Sequence, residues 1–171
     1  MIDWWKLFWV MLPAGIANMI PPMAVKLWPK WNTPIDMGKS WNGKRIFGDH
    51  KTVRGFVTGI LAAEIVFLLL KNITIREVNH PLPWFFGAIM GIGALSGDAI
   101  KSFFKRRLNI PSGVSWFPWD QTDWFFGIVV VSLPWVIFNW IEVLVMLTVG
   151  LFLHLLFKVL GYLLKLNKTL I

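Results

Sequence analysis

Apolar residues occupy this chain in long blocks, and polar residues gather in two clusters between them. A helix needs about 20 residues to cross hydrocarbon, with some latitude for tilt. By that measure the blocks predict five spans, at about 4–28, 55–71, 82–100, 124–139 and 141–164. The fourth block is short, and Asn139-Trp140 leaves only a tight turn before the fifth. The polar clusters, about 29–54 and 101–123, read as loops on one side of the membrane. The expectation is an all-α integral membrane protein of about five transmembrane helices, a single membrane domain over 1–171. Because hydrophobic blocks recur along the whole length, none needs to be a cleaved leader.

Charge orients this layout. Lys and Arg concentrate on the cytoplasmic flanks of membrane proteins. One set of alternate flanks holds 14 of the 17: Lys26, Lys30, Lys39, Lys44, Arg45, Lys51, Arg54, Lys101, Lys105, Arg106, Arg107, Lys158, Lys165 and Lys168. The other holds Lys6, Lys71 and Arg76. The N-terminus is therefore expected outside and the C-terminus in the cytoplasm, with both polar loops facing the cytoplasm at the plasma membrane. Most of the tryptophans fall near expected span ends, where amphipathic rings anchor.

Composition agrees with the pattern: 56% of residues are apolar and 15% charged, with mean hydropathy +0.61. The formal charge of +8 reports topology and lipid electrostatics in such a chain, not nucleic acid. With no cysteine, disulfides, thiolate catalysis and cysteine-ligated zinc are excluded. His50, His80 and His154 show no metal-ligand spacing.

The candidate chemistry lies where charge meets hydrocarbon. Asp98, Lys101 and Lys105 stand at i, i+3 and i+7, one helical face. This pattern suits a snorkelling ion-pair ladder or half of a site. Asp120 and Asp123 share a face if the fourth helix begins near Trp119. Two carboxylates so close repel unless a cation lies between them. Mg²⁺, which takes one or two protein carboxylates with phosphate and water, suits a site of Asp98, Asp120 and Asp123 gathered by a turn over Asn109–Gly113. Helix N-capping by Asp120 and Asp123 is the alternative.

Elsewhere, Pro21 and Pro22 are expected to loosen the first helix, leaving Asn18, Pro22 and Lys26 along a stripe that lines a cavity or marks a packing kink. The first loop, Asp36 to Gly55, interleaves glycines with cations in a way expected to be irregular and to suit a polyanion such as a nucleoside triphosphate, or anionic headgroups. Its GKSWNGKR segment resembles a P-loop but lacks the magnesium-binding hydroxyl and the preceding strand. Glu64, inside the second span, is either functional or a packing residue. His154 reads as structural.

Ser96, eight residues, Lys105-Arg106, then Asp120-x-x-Asp123 resembles the signature of the CDP-diacylglycerol synthase family. Asn18-x-x-Pro21-Pro22 and the loop GKRIFGDHKTVRG from Gly43 to Gly55 resemble its archaeal branch, the CDP-archaeol synthases. Gln121 replaces an arginine of the bacterial signature, Pro111-Ser112 stands near its usual Lys-Asp, and its HGG is missing. The resemblance implies a cytidylyltransferase that joins CTP to an isoprenoid ether lipid phosphate, 2,3-bis-O-geranylgeranylglycerol 1-phosphate, giving CDP-archaeol and pyrophosphate with Mg²⁺. Its site would use Asp98, Asp120 and Asp123 for metal. Lys101, Lys105 and Arg106 would neutralise phosphoryl charge. Lys39, Lys44, Arg45, Asp49, Lys51 and Arg54 would cover the nucleotide, with Asn18 and Lys26 lining the adjoining cavity. A CDP-alcohol phosphotransferase is a poor match, because its D-G-x-x-A-R element is absent. A non-catalytic anionic-lipid-binding subunit or small transporter would need the loops for charge alone.

Overall fold

The computed structural model describes residues 1–73, 81–111 and 114–163. Five helices and one short hairpin follow in the order α1 (Trp4–Leu27), β1 (Ser40–Trp41), β2 (Lys44–Arg45), α2 (Val53–Ile73), α3 (Phe86–Arg107), α4 (Trp119–Ser132) and α5 (Trp140–Leu163). Arg76, His80, Lys165 and Lys168, and Ser112-Gly113 of the expected turn, lie outside the described residues. Helix α1 and, within α2, Val53–Asn72 are long and apolar enough to cross a bilayer, and α5 is apolar over Trp140–Leu156.

Four expectations about local structure are corrected. The expected 101–123 loop is much shorter, because α3 continues to Arg107 and α4 starts at Trp119. Lysine and arginine are good helix formers and suit a helix C-terminus, so the charges mark the exit from hydrocarbon and not the end of the helix. The fourth helix stops at Ser132 instead of 139, since Pro134 has no amide to bond the Val130 carbonyl and its ring crowds that carbonyl. Helix α1 runs unbroken through Pro13, Pro21 and Pro22. Finally, the first loop is not irregular throughout. Asn42 and Gly43, at φ 50° and 73°, make the left-handed two-residue turn that closes β1 on β2, pairing Ser40 with Arg45 and Trp41 with Lys44.

Helix α1 packs on α2 and α3, α2 on α3, α3 on α4, and α5 mainly on α4. Trp9, Phe67, Phe86, Met90, Phe125, Ile128 and Met146 fill the core between them. Helices α3 and α4 meet almost backbone to backbone. A Cβ on Gly127 would lie 1.9 Å from the Gly93 carbonyl oxygen, and one on Gly97 would lie 2.2 Å from that of Asp123. Small residues permit this approach in membrane helices. At the α1–α2 contact, Pro21 lacks the amide that would bond the Ala17 carbonyl, and that carbonyl faces Gly59, whose added Cβ would sit 2.6 Å away.

Two acids, one buried and one half-buried, hold the end of the bundle opposite the polar loops. Glu142, fully buried, accepts from Lys6 Nζ at 2.6 Å and from the amides of Asn139 at 2.9 Å and Asp3 at 3.1 Å. It thereby ties the start of α1 to the α4–α5 connection. Glu64 Oε2 accepts from the Ala88 amide at 2.7 Å, in the first turn of α3 where backbone donors lack partners.

Candidate active site

The α3–α4 contact sets the acidic cluster. Where Gly97 touches the Asp123 carbonyl, Asp98 on α3 is carried up against the first two turns of α4. Lys101 Nζ lies 3.0 Å from Asp98 Oδ1, 3.0 Å from Asp120 Oδ1 and 2.6 Å from Asp123 Oδ2. Lys51, at the end of the first loop, also pairs with Asp98 through Oδ2. Lys105 Nζ donates to both Asp120 oxygens at 3.2 Å and to the Val114 carbonyl at 2.5 Å. The expected Asp98, Lys101, Lys105 face is therefore real, and it is a ladder across two helices. N-capping does not account for the α4 pair: the cap residue is Pro118, without a side-chain cap bond. Asp120 Oδ2 does accept from the Trp116 amide at 2.6 Å.

Three carboxylates sharing one ammonium are a hard, all-oxygen donor set around a cation, the chemistry that suits Mg²⁺. Among the described residues no three acidic or imidazole side chains are already drawn together as a bound metal would hold them. In this structure Lys101 supplies the positive charge at their centre.

The first loop is organised around Asp36, whose side chain is fully enclosed. It accepts from Arg45 at 2.6 Å and from the amides of Phe47, Gly48 and Gly38 at 3.0, 3.1 and 3.1 Å. Burial opposes ionisation of this carboxyl, but the guanidinium and the three amides outweigh it and hold its pKa at about 2, down from 3.8. Arg45, which also reaches Asp49 at 2.5 Å, is raised in turn, first by its bonds to Asp36 and Asp49. A bridge between Pro34 and Thr52 joins the two ends of the loop.

Arg107 docks the hairpin on α3. It donates to the carbonyls of Trp41, Lys44 and Arg45 at 2.8, 2.9 and 2.7 Å, while Lys44 Nζ returns a bond to the Arg107 carbonyl at 2.9 Å. Its guanidinium stands 4.9 Å from the Phe103 ring centroid, and Phe103 stacks on Trp41. Beside this junction lies a cleft of about 340 Å³ lined by Lys44, Arg45, Gly48, Asp49, His50 and Arg106, with Asn109–Pro111 at its edge. The Nε atoms of Arg45 and Arg106 are enclosed by protein without partners, as are those of Arg54 and Arg107.

The sequence-derived candidates thus fall into three groups. Asp98, Lys101, Lys105, Asp120, Asp123 and Lys51 converge in the acidic cluster, and Lys44, Arg45, Asp49 and Arg106 line the cleft. Arg54 is buried and donates to the Trp28 carbonyl at 2.5 Å, just past the end of α1. Asn18 is half-buried on α1, while Lys26 and Lys39 are exposed, and none of the three joins the ion pairs of the cluster.

Sequence reasoning passed over Asp36, Arg107, the α3–α4 glycines and Gln121. Asn42-Gly43 is a hairpin signal and Gly93-x-x-x-Gly97 a close-packing signal. No local pattern marks Asp36 or Arg107, whose partners are tertiary. Gln121 is buried with Oε1 unpartnered, and nothing in its spacing announces that.

Comparison with known proteins points one way. Residues 1–170 match the family model described as CarS-like, CDP-archaeol synthase. The CDP-archaeol synthase of Methanospirillum hungatei is 35% identical over 93% of this chain and 99% of its own length. That of Methanopyrus kandleri is 38% identical over 96% and 91%, and that of Pyrococcus furiosus 36% identical over 92% of each. A solved structure described as an intramembrane enzyme for archaeal membrane lipid biosynthesis superposes with a TM-score of 0.73 at 30% identity, covering 89% of this chain and 92% of the other.

Proposed function

The chain belongs to the CDP-archaeol synthase family, and from that membership we propose how its own residues transfer a cytidylyl group from CTP to an isoprenoid ether lipid phosphate. The protein is a cytidylyltransferase of archaeal lipid synthesis. In the reaction a phosphate oxygen of the lipid bonds to the α-phosphorus of CTP. The bond from that phosphorus to the bridging oxygen of the β-phosphate breaks, and pyrophosphate leaves with the electron pair. The lipid phosphate is already an anionic nucleophile near neutral pH and needs no serine, cysteine or histidine base. The protein's task is to suppress repulsion between phosphates and to hold the attack in line.

The observation that carries this reading is that an acidic cluster and a basic cleft share helix α3, through Asp98 and Lys101 for the one and Arg106 for the other. Arg106 stands eight residues after Asp98 on α3, about 12 Å at the helical rise. We place the CTP phosphates along Lys44, Arg45 and Arg106, with Lys51 and Lys105 neutralising charge nearer the carboxylates. Asp98, Asp120 and Asp123 would hold Mg²⁺. When bound it supplies charge compensation to the phosphates and orients them. The lipid stays in the bilayer throughout, since withdrawing its chains costs about 0.8 kcal/mol per CH₂. Its phosphate reaches the cluster from the side, between helices.

Purified protein given labelled CTP, Mg²⁺ and the lipid phosphate is expected to form lipid-linked CMP and pyrophosphate in equal amounts. Asp123→Asn should lower turnover at least ~100-fold, as removing a principal electrostatic element does, with the protein still folded. Lipid binding without either product from correctly folded protein would instead support the non-catalytic subunit or transporter.

A further inference from the structure

Among the described residues, Lys101 is placed unlike any other cation. Its ammonium touches a carboxylate oxygen from each of the three aspartates, two helices contributing, and its side chain is only 14% exposed. Lys51 and Lys105 each pair with one of these aspartates. Three ionised carboxylates facing one another without a cation would repel strongly, so the cluster needs a charge at its centre to stay packed before a metal enters. The same point is where a divalent cation would be held.

We infer that Lys101 is an internal stand-in for the divalent cation: it keeps the three carboxylates together before substrate arrives and yields its place when metal enters. Once displaced, its ammonium is available to the phosphate oxygens held beside it. This rests on the metal-site reading given above. Lys101 then has two separable effects, opposing metal entry and assisting turnover, which a merely structural lysine does not have.

The test measures Mn²⁺ affinity by paramagnetic resonance in detergent-purified wild type, Lys101→Met, Asp123→Asn and Lys30→Met. Lys30 is an exposed loop cation outside the site. Removing a unit charge at contact distance is expected to tighten Mn²⁺ binding in Lys101→Met by ~10-fold or more, while its turnover falls. Lys30→Met should bind as wild type, and Asp123→Asn should bind far more weakly. Unchanged or weaker binding in Lys101→Met, with Asp123→Asn still impaired, overturns the stand-in while leaving the metal site intact. An equal gain in Lys30→Met also overturns it, since general charge would then be the cause. If aspartate substitution leaves Mn²⁺ binding untouched, the metal-site reading itself fails, and the stand-in with it.

Should Lys101→Met not fold, the wild type answers alone. Amine labelling read by mass spectrometry should show Lys101 several-fold more reactive with Mn²⁺ than without, against Lys6 as an internal reference, because Lys6 is paired with Glu142 at the far end of the bundle. No change in Lys101 reactivity at saturating Mn²⁺ overturns the inference.

Discussion

At the scale of single residues, the first loop hangs on one carboxylate. Asp36 gathers four donors from Gly38, Arg45, Phe47 and Gly48, so replacing it leaves three amides without an acceptor and Arg45 paired with Asp49 alone. Its pKa in the folded protein, about 2, lies below the ordinary 3.8. A group shifted down in this way stabilises the fold fully above its unfolded pKa, and the contribution is lost as pH falls through the folded value. Pulse hydrogen exchange read by mass spectrometry should therefore find the Phe47 and Gly48 amides protected at pH 5 and losing protection between about pH 3.8 and 2. In Asp36→Asn the protection should already be low at pH 5. Protection that is equal in both proteins at pH 5 would remove Asp36 from this role.

At the scale of elements, the contact between α3 and α4 decides whether there is a site at all. The carboxylates come from two helices, and they meet because Gly93, Gly97 and Gly127 let the backbones touch. A methyl group at Gly127 would lie 1.9 Å from the Gly93 oxygen, a backbone atom that cannot swing aside. The helices must separate, and the cluster opens with them. Gly127→Ala is expected to lose at least ~10-fold in turnover, the scale of penalty that small displacements at a reacting centre carry. It should also lower the midpoint of thermal unfolding in detergent. Gly15→Ala serves as the comparison, because nothing lies within 4 Å of an added Cβ there, and it should behave as wild type. The i, i+3, i+7 spacing on α3 made the basic and acidic face legible from sequence. The partner helix was legible only as a guess, since periodicity describes one helix at a time.

For the whole molecule, the two ends of the bundle have different tasks. The loop end carries the cluster and cleft, and the opposite end carries the buried Lys6–Glu142 lock. From the Lys and Arg distribution we propose that the loop end faces the cytoplasm. The chain has no cysteine, so single substitutions report topology cleanly. In intact cells, an impermeant thiol reagent should reach Asn139→Cys and miss Asn42→Cys, with the reverse labelling in inverted vesicles. Labelling of Asn42→Cys from outside would invert the assignment. The amino-acid sequence alone determined the helical membrane class, the approximate blocks and the residue types suited to phosphate and a hard cation, because these follow from hydropathy, periodicity and spacing along one chain, and its motifs carried the family likeness by resemblance. Only the tertiary structure decided that Arg107 docks the hairpin, that Arg54 serves the end of α1, and that Lys101 stands among aspartates of two helices. Each of these depends on groups far apart in sequence and brought within hydrogen-bond reach by packing, and no local pattern encodes such a distance.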